Sequence, residues 1–362
     1  MRSGPRLVLP SATYVAALVA LSAGVGLAVP RLGKDDVGPV AWLGLAVLAL
    51  GVAGAGWAVW RLLRGVRRRW WLLTVPALLV VAYLALWTVG QGVVAAVPAH
   101  PSLGARTPAD VGLGYESVTL RTADGVDLAA WWVPGDNGAA VVLRHGAGGT
   151  RTGVLGQAEV LASGGYGVLL VDARGHGESD GRAMDFGWYG ERDVAAALDF
   201  LEDQPGVDPD RLGVVGMSMG GEEAIGAAGS DARVRAVVAE GASHRVAGDK
   251  AYLSAYGWRG DLQQWIDGGT YAVAGLLSPA PRPETLRASV ADSQADGTPT
   301  SLLLVTAGEV ETEGLAADLL EEAAPEAVET WTVPGAGHTG GLRAQPEEWA
   351  RRVLAFLDSA LG

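Results

Sequence analysis

The first hundred residues are dominated by three long apolar runs. They cover residues 7–29, 40–60 and 70–97, and none of them contains Lys, Arg, Asp or Glu. Each run is long enough to cross the hydrocarbon core of a bilayer, which takes about 20 residues in a helix. We therefore expect residues 1–97 to form an anchor of three transmembrane helices. A signal peptide is the alternative for the first run, although the apolar core of such a peptide is shorter, at about 7–15 residues.

The hydrophobic pattern changes at Tyr115 to that of a soluble α/β protein. Residues 115–121 and 126–133 alternate apolar and polar side chains around Ala123-Asp124-Gly125, which predicts an antiparallel hairpin. Short apolar runs then alternate with helix-like segments, and these runs are residues 139–143, 167–171, 211–217, 234–239, 301–306 and 328–333. This alternation predicts a mostly parallel sheet with helices on both faces. Functional side chains are then expected at the carboxyl ends of the strands.

Charge is distributed unevenly over the 362 residues, whose formal net charge is -13. Residues 1–97 contain 9 basic and 2 acidic side chains, whereas residues 98–362 contain 18 and 38. An acidic soluble part argues against nucleic acid as a partner, because binding phosphates requires Lys and Arg. The chain has no cysteine, which excludes disulfides, thiolate metal sites and a cysteine nucleophile. We expect no metal and no other cofactor.

The loops between the apolar runs predict an orientation in the membrane. The loop after the second run has five basic side chains and no acidic one, namely Arg61, Arg64, Arg67, Arg68 and Arg69. The loop at 31–38 is balanced, with Lys34 and Asp35 among its charges, and Arg2 and Arg6 precede the first run. Because basic loops stay in the cytoplasm, we expect a multi-pass protein of the cell membrane whose soluble part is extracytoplasmic. Residues 98–114, rich in Pro and Gly, are the predicted linker.

One short sequence suggests nucleophilic catalysis, Gly216-Met217-Ser218-Met219-Gly220, which lies between an apolar run and an Ala-rich helix. A Gly-x-Ser-x-Gly sequence in that context predicts a sharp strand-to-helix turn that exposes the serine. Side chains at the two glycines would collide with neighbouring elements. The amide of Met219, at the helix N-terminus, is well placed to stabilise an oxyanion. The alternative is an ordinary serine in a glycine-rich turn.

A serine hydroxyl needs a neighbouring base, and the chain has five histidines. His338 lies in a glycine-rich loop between the last strand and the last helix, and we assign it as the base. His244, which follows the run 234–239, is the second choice. His145 occupies a position that suits an oxyanion donor better than a base, His176 is expected to be structural, and His100 lies in the linker.

The imidazole also needs a carboxylate to orient it. Three glutamates, Glu309, Glu311 and Glu313, follow the run 301–306 at the carboxyl edge of the predicted sheet. We favour Glu311, with Glu313 next, because the turn needs a residue or two after Gly308 before a side chain can point back towards His338. The alternative for each of them is a helix-starting acid that interacts with the helix dipole.

In four segments the chain resembles the α/β-hydrolase superfamily, and the resemblance covers residues 115–362. Residues 144–149 are similar to its His-Gly oxyanion loop, 172–181 to its Asp-x-Arg-Gly-His-Gly-x-Ser segment, 216–220 to its nucleophile turn and 335–338 to its Gly-x-Gly-His base loop. The order serine, acid, histidine is also that of the family. The most similar members are membrane-attached bacterial hydrolases that resemble serine aminopeptidases and dienelactone hydrolases. The resemblance implies an α/β-hydrolase sheet and an oxyanion hole formed by the amides of Ala147 and Met219.

Two departures from the family pattern bear on the assignment. The acid is a glutamate where most members have an aspartate, and the oxyanion loop reads His-Gly-Ala-Gly where many lipases have His-Gly-Gly-Gly. The first weakens the assignment of the acid, and the second argues against a specifically lipase-like site.

The longest connection in the soluble part lies at about 241–299, and we expect it to form a small helical cap inserted into the α/β-hydrolase domain at 115–362. We expect a membrane-anchored serine hydrolase that cleaves a small or lipid-like acyl substrate through a covalent acyl-enzyme. Ester, thioester and amide substrates all stay open, as does the oligomeric state. The alternatives are an acyltransferase or serine peptidase that uses the same site, and a non-catalytic binding module.

Overall fold

The computed structural model describes residues 4–34, 36–295 and 299–362, with side chains from Leu7 onward. The chain divides into two compact units. One comprises the amino-terminal residues through His100 together with Trp265–Pro279, and the other comprises Pro101–Gln264 and Ala280–Gly362. Arg2 and Asp35, the side chain of Arg6 and residues 296–298 of the predicted cap lie outside the described residues.

The first unit contains the three long apolar helices that the sequence predicts. They are α1 (Gly4–Gly33), α2 (Pro39–Gly65) and a third that begins as α3 (Trp71–Ala85), passes through a π-helical turn (Leu86–Gly90) and ends as α4 (Gln91–Ala96). By length and composition, the segments Leu7–Gly33, Pro39–Gly65 and Arg68–Ala96 are able to span a bilayer.

Glycines let α1 and α2 approach each other closely. A Cβ added to Gly51 would lie 2.4 Å from the backbone nitrogen of Leu21, and one added to Gly24 would lie 2.4 Å from that of Leu48. Helices within a bilayer associate through such small residues, since lipid supplies no hydrophobic driving force between them.

Arg31 lies within α1 and is buried, although the sequence suggested a position in the loop. Its guanidinium donates hydrogen bonds to the carbonyls of Leu27, Val97 and Pro98 at 2.9, 3.0 and 2.9 Å. A buried guanidinium has to satisfy its donors. Arg31 therefore connects the end of α1 to the end of the third apolar helix.

The second unit is built on one eight-stranded sheet with the order β1-β2-β4-β3-β5-β6-β7-β8. The strands are β1 (Glu116–Arg121), β2 (Asp127–Val133), β3 (Ala140–Arg144), β4 (Gly167–Val171), β5 (Leu212–Met217), β6 (Val234–Glu240), β7 (Ser301–Ala307) and β8 (Val328–Val333). The pairs β1–β2 and β2–β4 are antiparallel, and the other five pairs are parallel. The sheet is therefore mixed, and the predicted α/β class is confirmed.

The remaining helices follow the strands. They are α5 (Leu155–Ser163), α6 (Gly190–Glu202), α7 (Met219–Ala228), α8 (Trp258–Leu277), α9 (Leu286–Asp292), α10 (Glu311–Glu321), α11 (Gly341–Ala344) and α12 (Pro346–Leu361). Successive residues of β3 point to opposite faces of the sheet. Val142 joins the apolar cluster that includes Leu198 of α6, whereas Val141 joins the cluster that includes Leu161 of α5 and Trp349 of α12.

The segment at 172–181 forms a buried polar network beside the sheet. The Asp172 carboxylate accepts the backbone N–H groups of Arg151 at 2.7 Å and Glu178 at 3.0 Å. Gly177 has φ +52°, and a Cβ there would lie 2.0 Å from an oxygen of Asp172, so only glycine fits. His176 is buried and is held between the Arg174 carbonyl and the Asp185 carboxylate, which agrees with the structural role expected for it.

A buried ion pair joins the end of β3 to α7, and it leads to a prediction about stability. Arg144 donates to one Glu223 oxygen from Nε at 2.9 Å and from Nη2 at 2.6 Å, and both residues are almost fully buried. Glu223→Gln leaves the guanidinium without its close carboxylate, and such losses cost about 3–5 kcal/mol. We expect a cost at the lower end of this range, because the Asp193 carboxylate, 3.8 Å from the Arg144 guanidinium, still compensates part of its charge.

This prediction is checked by denaturant unfolding of the purified full chain in detergent. The double variant Arg144→Met/Glu223→Leu, which removes both charges, should recover much of the lost stability. A cost below about 1 kcal/mol for Glu223→Gln, the range of exposed pairs, would contradict the prediction.

Candidate active site

The turn between β5 and α7 exposes Ser218 in a strained conformation. Its φ is +53° and its ψ is -119°, and its N–H donates to the Glu240 carbonyl at 2.7 Å. A Cβ on Gly216 would lie 2.1 Å from the Gly220 oxygen, and one on Gly220 would lie 2.7 Å from the Arg144 Cβ. The two glycines are therefore required sterically, as the sequence predicted. Strain of this kind persists only where the surrounding structure enforces it.

The structure brings Ser218, His338 and Glu313 together in one hydrogen-bonded chain. His338 Nε2 lies 2.9 Å from Ser218 Oγ, and His338 Nδ1 lies 2.6 Å from Glu313 Oε1. Because a carboxylate only accepts, Nδ1 carries the proton and Nε2 accepts the serine hydroxyl. Ser218 comes from the end of β5, His338 from the loop after β8, and Glu313 from the first turn of α10. The arrangement is able to remove a proton from the hydroxyl and to stabilise the resulting imidazolium.

The acid beside His338 is Glu313, so the preference for Glu311 inferred from the sequence is corrected. Helix α10 begins at Glu311, and two residues further on the side chain has turned by about 200° around the axis. Glu313 is thus buried against the sheet, where its second oxygen accepts the Ala307 N–H at 2.8 Å. Glu311 is exposed and bonds the hydroxyl of Tyr256, and Glu309 is also exposed.

The carboxylates around His338 favour its protonated form. The hydrogen bond to Glu313 is the largest cause that raises its pKa, and the charges of Glu222 and Glu240 act in the same direction. Burial of the ring opposes them. Burial raises the pKa of Glu222 to about 7, although this side chain accepts the N–H groups of Ser243 and His244. The base therefore loses its proton at a higher pH than a free histidine does.

The expected oxyanion donors occupy positions beside Ser218. Ala147 and Ser218 both line a cavity of about 450 Å³, within the range of small-molecule sites. Met219 is the first residue of α7, so its N–H has no acceptor within the helix. Within the described part of the chain, no cluster of three or more His, Asp or Glu side chains is placed to hold a metal ion.

His145 holds the loop at residues 144–149 in place. Its Nε2 accepts the Ala173 N–H at 3.0 Å, and its Nδ1 therefore donates to the Gly146 carbonyl at 2.8 Å. Burial lowers the pKa of His145 well below its usual value, so the ring is neutral. The contact to Ser218 is made by His338 and not by the second choice, His244, whose N–H donates to Glu222.

Two buried glutamates near the site were missed at the level of sequence. Glu240, the last residue of β6, accepts the Gly341 N–H at 2.7 Å and the Trp349 indole N–H at 2.8 Å, and so holds the loop that follows His338. Glu222, one helical turn after Ser218, holds the loop at Ser243. The sequence signal that could have identified them is an acidic residue in an apolar element: Glu240 ends an apolar strand, and Glu222 lies on an apolar helix.

A protein-family model described as "Alpha/beta hydrolase family" matches residues 140–352. Among solved structures, the esterase Pf2001 of Pyrococcus furiosus is similar, with a TM-score of 0.57 and 26% identity over 73% of this chain and 98% of that one. The residues that the family model matches include Ser218, Glu313 and His338.

Curated relatives match over shorter stretches. The thiohydrolase aneE of Aspergillus aculeatus is 40% identical over 129 residues, which are 34% of this chain and 40% of that protein. The alpha/beta hydrolase domain-containing protein WAV2 of Arabidopsis thaliana is 32% identical over 156 residues, which are 41% of this chain and 49% of that protein. The chain thus spans less than half the length of these relatives.

Proposed function

Since this chain belongs to the alpha/beta hydrolase family, we propose that it is a serine hydrolase that cleaves an acyl bond through a covalent acyl-enzyme. The observation that carries the proposal is the chain of hydrogen bonds from Ser218 through His338 to Glu313, at 2.9 and 2.6 Å. A serine hydroxyl becomes a competent nucleophile when an adjacent base accepts its proton. A non-catalytic binding module does not require a strained serine turn aligned on an oriented imidazole.

In the proposed mechanism, Ser218 Oγ attacks the acyl carbon while its proton passes to His338 Nε2. The tetrahedral intermediate collapses when the imidazolium protonates the leaving oxygen or sulfur, which departs as an alcohol or thiol. Water then attacks the acyl-enzyme and gives its proton to the same nitrogen, and the second collapse returns that proton to Ser218 and releases the carboxylic acid. Glu313 keeps the proton on Nδ1 and stabilises the charged ring.

The oxyanion of each intermediate is proposed to be stabilised by the amides of Ala147 and Met219. Donors already aimed at the developing charge need no reorganisation during the reaction, and one such donor is worth about 10²–10³ in kcat. The N-terminus of α7 adds its dipole in the favourable direction. His145 keeps the oxyanion loop in place through its bonds to Gly146 and Ala173.

Esters and thioesters are the substrate classes to test first, because one similar protein is named an esterase and another a thiohydrolase. The test is rapid-mixing kinetics of the purified full chain with p-nitrophenyl esters and acyl thioesters of increasing chain length. We expect a burst of one leaving group per enzyme, followed by a slower steady state, as an acyl-enzyme requires. If the chain hydrolyses none of the esters, thioesters or aminoacyl amides and shows no burst, the result would favour the binding module. Transfer to added amines or alcohols in place of water would identify an acyltransferase.

The apolar helices α1–α4 are proposed to anchor the hydrolase in the cell membrane with its α/β domain, residues 101–264 and 280–362, outside the cytoplasm. The five arginines between the second and third apolar segments support this orientation. Protease added to intact spheroplasts should degrade the acidic part while a tag placed after Arg67 stays protected. Protection of the α/β domain until lysis would reverse the orientation.

A further inference from the structure

An open apolar groove lies within the first compact unit, between the third apolar helix and α8. It encloses about 600 Å³. One wall is formed by Val81, Leu84 and Thr88, and the other by Trp265, Gly268 and Ala272. This volume is within the range of sites that hold small organic ligands. The groove is separate from the cavity that contains Ser218, with which it shares no lining residue.

Specific contacts hold the two walls together and leave the groove between them. The Trp87 indole donates to the buried carboxylate of Asp267 at 3.0 Å. A Cβ on Gly269 would lie 3.2 Å from Thr88 Cγ2, and one on Gly92 would lie 2.8 Å from the Thr270 carbonyl oxygen, so both glycines are places of close approach.

At the groove itself the backbone leaves space. A Cβ added to Gly268 meets no atom within 4 Å, and Ala272, four residues on along the same face of α8, is exposed. The opposite wall passes into the π-helical turn at Leu86–Gly90, and such turns occur frequently at functional sites. Close approach at Gly92 and Gly269 and the π-helical turn thus shape the groove. Ordinary helix packing requires neither feature.

The position along the chain indicates the occupant. Residues 81–88 lie 13 to 20 positions after Arg68 in the segment Arg68–Ala96, which is roughly 20–30 Å along a helix. In the proposed membrane-anchored protein this is within the half of the hydrocarbon core, about 30 Å thick, that is farther from the arginine loop. The abundant molecules at that depth are lipid tails, and the groove offers them apolar side chains such as Leu84 and Ile266.

We propose that this groove binds one acyl chain of a bilayer phospholipid. The inference rests on the proposed membrane anchor, and it adds a lipid site that is distinct from the catalytic serine. The Trp87–Asp267 bond and the two glycines keep the groove open, and the tail packs along Leu84 and Gly268.

The test uses the full chain reconstituted in phosphatidylcholine vesicles that contain a phosphatidylcholine with a diazirine on one acyl chain. After photolysis and digestion, mass spectrometry should find adducts concentrated in residues 81–88 and 265–272. The internal comparison is α2, where Leu43 and Leu50 are 58% and 72% exposed. Labelling spread over these segments in proportion to exposure would identify ordinary surrounding lipid and overturn the proposal.

Two variants place a side chain in the groove, Gly268→Leu and Ala272→Leu. We expect each to lower the adduct yield at both walls by about tenfold, because the added carbons occupy the space of the tail. Leucine is a good helix former, so neither change weakens α8. Gly56→Leu is the matched control, since Gly56 of α2 also has no atom within 4 Å of an added Cβ. It should leave the adduct yield unchanged.

Extraction of the membranes with alkaline carbonate separates the two possible failures. Release of the protein would refute the anchor and the acyl-chain site together. Retention in the membrane, with labelling that neither leucine variant reduces, would refute the site alone. The burst experiment with soluble esters tests the hydrolase proposal independently of both.

Discussion

Replacing Ser218 with alanine is expected to lower kcat for ester or thioester hydrolysis by about 10⁴–10⁶-fold. The change removes the nucleophile and leaves the cavity and the oxyanion amides in place. The residual rate, about 10³–10⁴ above that in water, would come from binding and oxyanion stabilisation alone. KM should change little, because the hydroxyl contributes its energy in the transition state and not in the Michaelis complex.

Steady-state and burst kinetics of Ser218→Ala and of a matched control measure this effect. The control is Ser163→Ala, on the exposed side of α5, where the hydroxyl donates to the Val160 carbonyl. A Ser218→Ala protein that retains the burst would exclude Ser218 as the nucleophile. A loss of activity of the same size in Ser163→Ala would show that the protein preparation, and not the nucleophile, is responsible.

Glu313→Gln is expected to have the second largest effect, a loss of about 10³–10⁴-fold in kcat. The amide is nearly isosteric, but it does not stabilise an imidazolium, and its NH₂ group favours the wrong tautomer of His338. Glu311→Gln is the matched control in the same helical turn. Because Glu311 is exposed and contacts Tyr256 and not His338, it should stay close to wild type.

The pH profile distinguishes an electrostatic role of Glu313 from a merely structural one. In the wild type, kcat/KM should rise as pH increases through the pKa of His338, which the glutamate raises by stabilising the charged ring. Glu313→Gln removes the largest of the causes that raise this pKa. The rising limb should therefore move to lower pH while the plateau falls. An unchanged limb in Glu313→Gln, or a shifted limb in Glu311→Gln, would contradict the assignment.

Local patterns carried most of what the sequence could predict. The three apolar runs and the strand–helix alternation follow from the environment of each residue, and they emerge as α1–α4 and the eight-stranded sheet. The pairing of Ser218 with His338 could be inferred as well, since both residues follow strands at the same edge of a parallel sheet.

The identity of the acid beside His338 and the roles of the buried glutamates could not be predicted, because they depend on three-dimensional geometry and not on local sequence pattern. The choice between Glu311 and Glu313 depends on the residue at which α10 begins, because a shift of two positions reverses the direction of a side chain. Glu222 and Glu240 act through loops distant in sequence, at Ser243 and Gly341.

The grouping of residues 265–279 with the apolar helices was likewise not predictable. It depends on long-range contacts such as that between Trp87 and Asp267, which are separated by 180 positions. Within the predicted cap, hydrophobicity alone did not reveal that part of α8 packs with the amino-terminal helices.

The proposed mechanism is tested by locating the residue that a fluorophosphonate labels covalently. The full chain is treated with the probe in detergent, digested and analysed by tandem mass spectrometry. We expect a single phosphonylated residue, Ser218, whose labelling is suppressed by prior incubation with an acyl thioester substrate. An adduct on another serine, or an active enzyme that the probe neither modifies nor inhibits, would contradict the proposed mechanism.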